Sequence, residues 1–229
     1  MRDGFIRVAA LTPAVRVADV EHNVAACAEA VRSVTGAQVI VLPELAITSY
    51  TCEDLFWQDA LLRAAGEGLA SFAELTADVD ALVFVGVPVR VASKLYNCAA
   101  VLCAGELLGL VPKRNIPTYG EFYEGRRFSA GPEDVTLVSF AGYGEVPFGS
   151  SQLFECDTVP GLIVAAEICE DLWVPNPPST AAALAGATLV VNLSASNELV
   201  GKADYRRGLV SSTSARLVCA YAYASAGWG

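Results

Sequence analysis

Short continuous apolar runs alternate along this chain with segments whose apolar residues recur at helical spacing, and this alternation limits the choice of fold. Runs bounded by Gly, Pro or charged residues are typical of strands buried on both faces of a sheet. Asp19 and Gly36 fit an N-cap and a stop for the first helical segment. The alternation predicts a layered α/β domain. Its elements up to residue 87 are a strand at 5–11, a helix at 19–34, a strand at 39–42, helices at 53–62 and 67–76, and a strand at 81–87.

The rest of the chain adds a hairpin, a long loop and further alternation. Two strands, 95–103 and 107–111, are separated by a tight turn, and mixed sheets combine such hairpins with crossover units. Residues 113–134 form a polar and aromatic loop of the kind that compact domains reserve for function. Neither a linker nor a repeat is evident, so residues 1–229 read as one domain. The remaining predicted elements are strands at 135–140, 152–156, 162–166, 188–193 and 217–225 and helices at 179–186 and 204–215.

Composition narrows the class of protein. The hydrophobic fraction is 54% and the charged fraction 17%, so most elements are expected to bury at least one face. A net charge of −10 argues against nucleic acids and anionic membranes as partners. No apolar run approaches the length of a membrane span, and the N-terminal residues lead into a strand without a signal-peptide pattern. We therefore expect a cytoplasmic protein that does not bind membranes.

The seven cysteines are scattered and mostly lie inside apolar segments. Together with the absence of a signal peptide, this predicts reduced, core-packed thiols rather than a disulfide framework. The sequence has no CxxC pair, and His22 is the only histidine. A zinc site and a Cys–His dyad are both poorly supported, so no metal ligands are predicted.

Three predicted strands end in residues that can carry chemistry, namely Glu44, Lys113 and Cys169. A nucleophilic thiolate needs a base and a cation, which two carboxylates following the cysteine cannot supply. If the three strand ends meet, Glu44 can take the thiol proton and Lys113 can stabilise an oxyanion, a combination suited to an amide substrate. Taken alone, each residue has a simpler structural interpretation. Glu44 could be a residue at a helix start, Lys113 a surface lysine and Cys169 a thiol packed in the core.

The segments around these residues carry a resemblance. Pro43-Glu44, Pro112-Lys113 and Glu167–Asp171, in this order, resemble the Glu–Lys–Cys triad of the nitrilase (carbon–nitrogen hydrolase) superfamily. Three longer segments, 113–124, 168–175 and 192–197, are similar to the glutaminase domains of bacterial glutamine-dependent NAD⁺ synthetases, and the resemblance runs over residues 5–229.

The resemblance implies a four-layer α-β-β-α sandwich, a homo-oligomer, and hydrolysis of L-glutamine to glutamate and ammonia without a cofactor. It assigns Glu44 as general base, Lys113 as oxyanion stabiliser and Cys169 as nucleophile, with Glu121 as a second glutamate that orients Lys113. In the family, ammonia passes to a synthetase domain that uses ATP and Mg²⁺ to amidate nicotinate adenine dinucleotide. The residues that would line the glutamine pocket are Tyr50, Tyr119, Glu170, Trp173, Ser196 and Lys202.

The sequence departs from the family beyond its last predicted strand. No Ser-Gly-Gly run, Walker pattern or GxGxxG of a synthetase domain is present, so we expect a glutaminase domain that is incomplete at its C-terminus, with the synthetase truncated away or on a separate chain. Two alternatives stay open. One is a stand-alone amidase or carbamoyl hydrolase of the same superfamily, and the other is a non-catalytic interaction module.

Overall fold

The computed structural model describes residues 5–227, which form eleven strands and four α-helices. The helices are α1 (Val20–Ser33), α2 (Asp59–Leu75), α3 (Pro178–Leu184) and α4 (Lys202–Leu217). The strands are β1 (Val8–Ala10), β2 (Val39–Val41), β3 (Leu82–Val91), β4 (Lys94–Cys103), β5 (Glu106–Pro112), β6 (Thr136–Ser139), β7 (Glu145–Phe148), β8 (Phe154–Glu155), β9 (Ile163–Ile168), β10 (Leu189–Ser194) and β11 (Ala220–Ser225).

The strands form two sheets. The first has seven strands in the order β1-β2-β3-β4-β5-β7-β6, and the second has four in the order β11-β10-β9-β8. Strands β1, β2 and β3 are parallel, whereas β3, β4 and β5 are antiparallel, so β2 and β5 run in the same direction. In the second sheet, β9, β10 and β11 are parallel. The residues that follow β2 and β5 therefore emerge at the same edge of the first sheet.

The two sheets pack face to face, with helices on their outer sides. Val41 and Phe84 from the first sheet share a buried cluster with Val164 and Val191 from the second. The other face of the first sheet packs against α1 and α2, and the outer face of the second carries α3 and α4. This arrangement confirms the four-layer α-β-β-α sandwich. Because side chains alternate along a strand, residue 167 of β9 faces outward while residues 166 and 168 face the other sheet.

Local signals explain where the first helix begins. The Asp19 carboxylate accepts a hydrogen bond from the His22 backbone N–H, so the predicted N-cap is confirmed. The helix ends at Ser33, followed by Val34 in an extended conformation.

The prediction of two helices at 53–62 and 67–76 is wrong. The chain forms a 3₁₀ segment at Tyr50–Trp57 and then a single helix, α2. Inside α2, Gly68 lies on the face packed against α1, where an added Cβ would be 2.5 Å from Val20 Cγ1. That glycine allows the two helices to approach closely, and it does not end α2.

Strand β7 is absent from the predicted elements. It is short, pairs antiparallel with β6, and follows the turn at residues 141–144. Gly142 and Gly144 both have positive φ angles there, which glycine adopts without steric cost in turns. None of the described helices is long and apolar enough to cross a membrane.

Candidate active site

Cys169 follows the last residue of β9 and begins a short 3₁₀ turn, Cys169–Leu172. Its φ angle is +45°, a left-handed conformation that is uncommon for a residue with a side chain. The Asn192 side chain holds this geometry, since its Oδ1 accepts the Cys169 N–H at 3.0 Å. Only 5% of Cys169 is exposed. Strained, over-determined backbone positions of this kind cluster at functional sites.

Asp171 ties the turn at Cys169 to the loop after β5. Its buried carboxylate accepts the backbone N–H groups of Asn115 at 2.7 Å, Arg114 at 3.1 Å and Ile168 at 3.0 Å. The Asn115 side-chain amide donates to the same carboxylate at 2.8 Å. Sequence reasoning assigned Asp171 no role, although a carboxyl group two residues after the cysteine was a visible signal. One side chain thus fixes the relative position of the strand ends that carry Lys113 and Cys169.

Lys113 lies between two buried carboxylates. Its Nζ is 2.7 Å from Glu44 Oε1 and 2.6 Å from Glu124 Oε1, and the lysine side chain is fully buried. Burial alone would lower the pKa of Lys113, but attraction to Glu44 and Glu124 outweighs it and holds the pKa well above its ordinary value. The ammonium is therefore a fixed cation at the centre of the site.

The prediction that Glu121 orients Lys113 is wrong, because the carboxylate that contacts Lys113 Nζ is that of Glu124. Both glutamates lie in the long loop, but the 3₁₀ turn at Glu124–Arg126 directs Glu124 inward, leaving it 4% exposed. Glu121 is exposed and lines a cavity described below. Burial raises the pKa of Glu124, an effect that Lys113 opposes and Glu44 reinforces.

Further donors satisfy the two carboxylates. The Asn97 amide, on β4, donates to Glu44 Oε1 at 2.7 Å and to Glu124 Oε2 at 3.4 Å. The Ala195 N–H donates to the other Glu44 oxygen at 2.9 Å. Sequence reasoning missed Asn97, although an amide side chain inside an apolar strand was a signal, since buried polar groups are rarely left without partners. These donors offset the excess negative charge around Lys113.

Tyr50 lies on the carboxylate side of the site and not in the cavity beside Cys169, contrary to expectation. Its hydroxyl donates to Glu124 Oε1 at 2.8 Å. The preceding Ser49 has a φ angle of +71°, and the 3₁₀ segment that begins at Tyr50 directs the ring inward. Tyr50 therefore supports the carboxylates around Lys113.

The cavity beside Cys169 measures about 180 Å³. It brings together five of the six residues predicted to line a glutamine pocket. Glu170 and Lys202 supply opposite charges, and the Tyr119 hydroxyl donates to the Glu170 carboxylate at 2.9 Å. The Lys202 ammonium contacts Asn197 Oδ1 and lies 5.2 Å from the centre of the Trp173 ring. The lining residues are Tyr119, Glu121, Phe122, Cys169, Glu170, Trp173, Ser196, Asn197, Leu199 and Lys202.

The surroundings of Cys169 favour the neutral form of its thiol. Burial and the charge of Glu44 raise its pKa to about 12, against the opposing effects of Lys113 and of a hydrogen bond from Ser194. A buried neutral thiol needs a base before it can attack. Glu44 is the carboxylate that influences it most strongly.

A chain of buried polar groups lies behind the Cys169 turn, on the outer face of the second sheet. Glu167 accepts the Ser179 N–H at 2.9 Å and the Tyr221 hydroxyl, and Asn192 Nδ2 donates to that hydroxyl oxygen at 3.1 Å. Asn192 Oδ1 is thereby left to accept the N–H of Cys169. The chain of donors fixes the orientation of the amide that holds the Cys169 backbone.

Glu167 gives the fold a pH dependence that can be measured. Burial and the neighbouring Asp171 raise its pKa from 4.5 to about 7, although the Tyr221 and Ser179 donors lower it. Between these two values the folded state keeps a proton that the unfolded state releases, so the free energy of unfolding falls as the pH rises. The contribution of Glu167 is about 3 kcal/mol, lost by about pH 8.

The side chain of Glu167→Gln does not titrate. We therefore expect its free energy of unfolding to rise by about 3 kcal/mol relative to that of the parent chain as the pH is raised from about 4.5 to about 8. Urea unfolding at both pH values measures this difference. Subtracting the two profiles cancels other titrating groups, such as Glu124 and Asp54. Profiles that stay parallel across this range would contradict a raised pKa for Glu167.

Comparisons with known proteins show which family this chain resembles. A family model described as carbon-nitrogen hydrolase matches residues 7–229. The glutamine-dependent NAD(+) synthetase of Mycobacterium tuberculosis is 42% identical over 228 residues, which are 99% of this chain and 33% of that relative. The enzyme of the same name from Homo sapiens is 31% identical over 185 residues, which are 77% of this chain and 26% of the human protein. The chain spans about a third of the length of the curated relatives it matches.

Two solved structures illustrate the likeness in fold. A glutamine-dependent NAD(+) synthetase from Cytophaga hutchinsonii superposes with a TM-score of 0.84 at 32% identity, covering 96% of this chain and 36% of that one. An amidase from Nesterenkonia sp. superposes with a TM-score of 0.75 at 19% identity, covering 99% of this chain and 78% of the amidase.

Proposed function

The chain belongs to the carbon–nitrogen hydrolase family, and we propose that it hydrolyses the side-chain amide of L-glutamine to L-glutamate and ammonia through a thioester on Cys169. One observation carries the proposal. Cys169 opens into a cavity that holds a carboxylate and an ammonium, Glu170 and Lys202, beside the buried Glu44–Lys113 pair. The names of the relatives, which call them glutamine-dependent, support the same substrate.

The first half of the reaction forms the thioester. Glu44 takes the proton from Cys169, and Sγ attacks the carbonyl carbon of the substrate amide. The Lys113 ammonium and the backbone N–H of Glu170 stabilise the negative oxygen of the tetrahedral intermediate. When this intermediate collapses, the carbon–nitrogen bond breaks and Glu44 returns its proton to the departing amine, which leaves as ammonia.

The second half releases glutamate. Glu44, again ionised, takes a proton from a water molecule that attacks the thioester carbonyl. The carbon–sulfur bond breaks, and the proton held by Glu44 passes to the sulfur. Glu124 has a supporting role, because its carboxylate is 2.6 Å from Lys113 Nζ and holds the ammonium in place. Neither step requires a metal or cofactor, since a base, a cation and a nucleophile are already supplied by the chain.

The cavity accounts for the choice of an amino acid amide. We assign the substrate ammonium to Glu170 and the substrate α-carboxylate to Lys202, with Tyr119, Trp173 and Ser196 around the aliphatic part. Tyr119 holds Glu170 through its hydroxyl. Binding both charged groups places the amide carbon near Cys169 Sγ, and such positioning accounts for a large part of enzymatic rate enhancement.

We further propose that the ammonia serves the ATP- and Mg²⁺-dependent amidation of nicotinate adenine dinucleotide, on a synthetase domain or partner chain, within a homo-oligomer. The likeness to longer relatives named glutamine-dependent NAD(+) synthetase supports the link to NAD synthesis, whereas the homo-oligomer follows from the family resemblance alone. A stand-alone amidase is the second candidate, because the amidase from Nesterenkonia sp. shares the fold. The opposite charges in the cavity favour an amino acid over a simple amide.

Glutamate release from L-glutamine tests the proposal. We expect the chain to hydrolyse L-glutamine, Cys169→Ala to lose the activity, and Cys156→Ala, a half-exposed cysteine elsewhere, to retain it. A short aliphatic amide distinguishes the two candidates, because it has neither charged group. Faster hydrolysis of the short amide than of L-glutamine would establish the amidase, and activity in Cys169→Ala would exclude the thioester.

A further inference from the structure

The last residue of β10, Ser194, contacts the sulfur of Cys169. Its Oγ lies 3.3 Å from Cys169 Sγ and is oriented to donate to it. Ser194 is fully buried. The next residue, Ala195, donates its N–H to Glu44 at 2.9 Å. The end of β10 thus places one hydroxyl against the nucleophile and one amide against its base, so Ser194 is held in register with both reacting groups.

Two other groups hold the Ser194 hydroxyl. The Ser196 N–H donates to Ser194 Oγ at 3.2 Å, and the Tyr223 hydroxyl lies within hydrogen-bond distance on the neighbouring strand, β11. A serine hydroxyl has one proton and two lone pairs. When Ser196 and Tyr223 both donate to its oxygen, the only remaining hydrogen bond of Ser194 is donation of its own proton to sulfur. In that arrangement the Ser194 proton is directed toward Cys169.

The direction of these bonds follows the charge on sulfur. A neutral thiol can donate to Ser194, whose proton then turns toward Tyr223. A thiolate can only accept, so Ser194 donates to sulfur and Tyr223 donates to Ser194. Both hydroxyl protons rotate in place, and neither is transferred. Hydrogen bonds to a charged acceptor are about twice as strong as neutral ones, so the pair favours the thiolate.

We propose that Ser194 is a further catalytic residue, which donates a hydrogen bond to the Cys169 thiolate, and that Tyr223 is the positioning residue that directs this proton. This inference rests on the nucleophilic role of Cys169 proposed above. The thiol proton still passes to Glu44, and the thioester still forms on Sγ. Ser194 stabilises the sulfur when it carries charge, both before attack and when it leaves the acylated intermediate.

The groups around Cys169 show why the Ser194 hydroxyl affects ionisation of the thiol. Burial and Glu44 oppose ionisation of the thiol, while Lys113 and Ser194 favour it. The charge of Lys113 is shared with two carboxylates that lie within 2.7 Å of its Nζ. The Ser194 hydroxyl, in contrast, faces no carboxylate among its described contacts and is directed at the sulfur.

The pH dependence of Cys169 alkylation by iodoacetamide, followed by peptide mass mapping, tests the proposal. We expect Ser194→Ala to lower the rate of alkylation about tenfold at a fixed pH of about 8, below the midpoint, which corresponds to a midpoint about one pH unit higher. Tyr223→Phe, which keeps the ring, should shift it in the same direction by less. Ser225→Ala is the matched control, since Ser225 is the register partner of Ser194 on β11.

Kinetics give a second readout. Ser194→Ala should lower kcat for L-glutamine about tenfold and leave KM unchanged, because Ser194 does not line the cavity. An alkylation rate at that pH equal to that of the parent chain in Ser194→Ala would overturn the proposal, even if the variant melts at a lower temperature. If Ser194→Ala does not fold, an unchanged alkylation rate in Tyr223→Phe has the same consequence. Alkylation requires no glutamine, so failure of the glutaminase proposal is seen separately, as absence of glutamate release.

Discussion

Replacing Lys113 by Met is expected to lower kcat for L-glutamine at least about a thousandfold, because the variant loses the cation that stabilises the oxyanion. The same change removes the one cation that pairs, within residues 5–227, with the two buried carboxylates Glu44 and Glu124. Breaking a buried ion pair from one side costs about 3–5 kcal/mol. Lys113→Met should therefore lose activity and stability together, measured by glutamate release and urea unfolding.

A double variant separates the two losses. Adding Glu124→Gln to Lys113→Met removes one buried negative charge and leaves an amide that can still accept the Tyr50 hydroxyl. We expect the double variant to regain much of the stability and none of the activity. Recovery of glutamate release in the double variant would show that Lys113 is needed for folding rather than for stabilising the oxyanion.

Replacing Gly86 by Ala is expected to destabilise the fold by more than about 4 kcal/mol. A Cβ at Gly86 would lie 2.1 Å from Leu45 N, 2.5 Å from Pro43 O and 2.6 Å from the Glu44 carbonyl carbon. All three are backbone atoms, so no side chain can move aside. The segment is also fixed by hydrogen bonds between Gly86 N–H and Pro43 O at 3.2 Å and between Ile47 N–H and Gly86 O at 3.1 Å.

Because the segment displaced by Gly86→Ala carries Glu44, any folded fraction should also lose activity. Gly208→Ala is the matched control, since Gly208 lies inside α4 and an added Cβ would have no atom within 4 Å beyond its chain neighbours and the helix's own backbone. We expect that control to be neutral or stabilising by about 0.5–1 kcal/mol, because alanine favours a helix more than glycine does. Equal melting temperatures for Gly86→Ala and the parent chain would contradict the close approach of β3 to the Glu44 segment.

Much of the fold could be predicted because local and global signals agree along most of the chain. The apolar runs became strands, and the paired signals at Asp19 and Gly36 framed α1. The error at α2 has a physical cause, since Gly68 lowers helix propensity locally but permits close packing against Val20. Packing partners of this kind are distant in sequence, so no local pattern reveals them.

Only part of the candidate site could be predicted from the sequence. The strand-end positions of Glu44, Lys113 and Cys169 were visible, because a change from apolar to polar residues marks the edge of a sheet. Glu121 and Glu124 lie in the same polar loop, and only the fold decides which carboxylate is turned inward. Their spacing carries no periodic signal that would separate them.

The supporting groups were the hardest to predict. Asn97 and Ser194 lie within strands whose other residues are mostly buried, and they contact residues far away in sequence. A buried amide or hydroxyl signals that a partner exists, because unpaired polar groups are costly to bury. It does not signal which partner, so the donors around Glu44 and Cys169 become evident only from the structure.

Covalent labelling with a glutamine-shaped alkylating agent, 6-diazo-5-oxo-L-norleucine, tests most directly whether Cys169 is the nucleophile of a glutamine-specific site. The agent carries the ammonium and carboxylate of glutamine, so it should enter the cavity between Glu170 and Lys202. Peptide mass mapping should locate a single adduct on Cys169, formed in parallel with loss of glutamate release and slowed by L-glutamine. An adduct on another cysteine, or full activity after complete labelling of Cys169, would contradict the proposed mechanism.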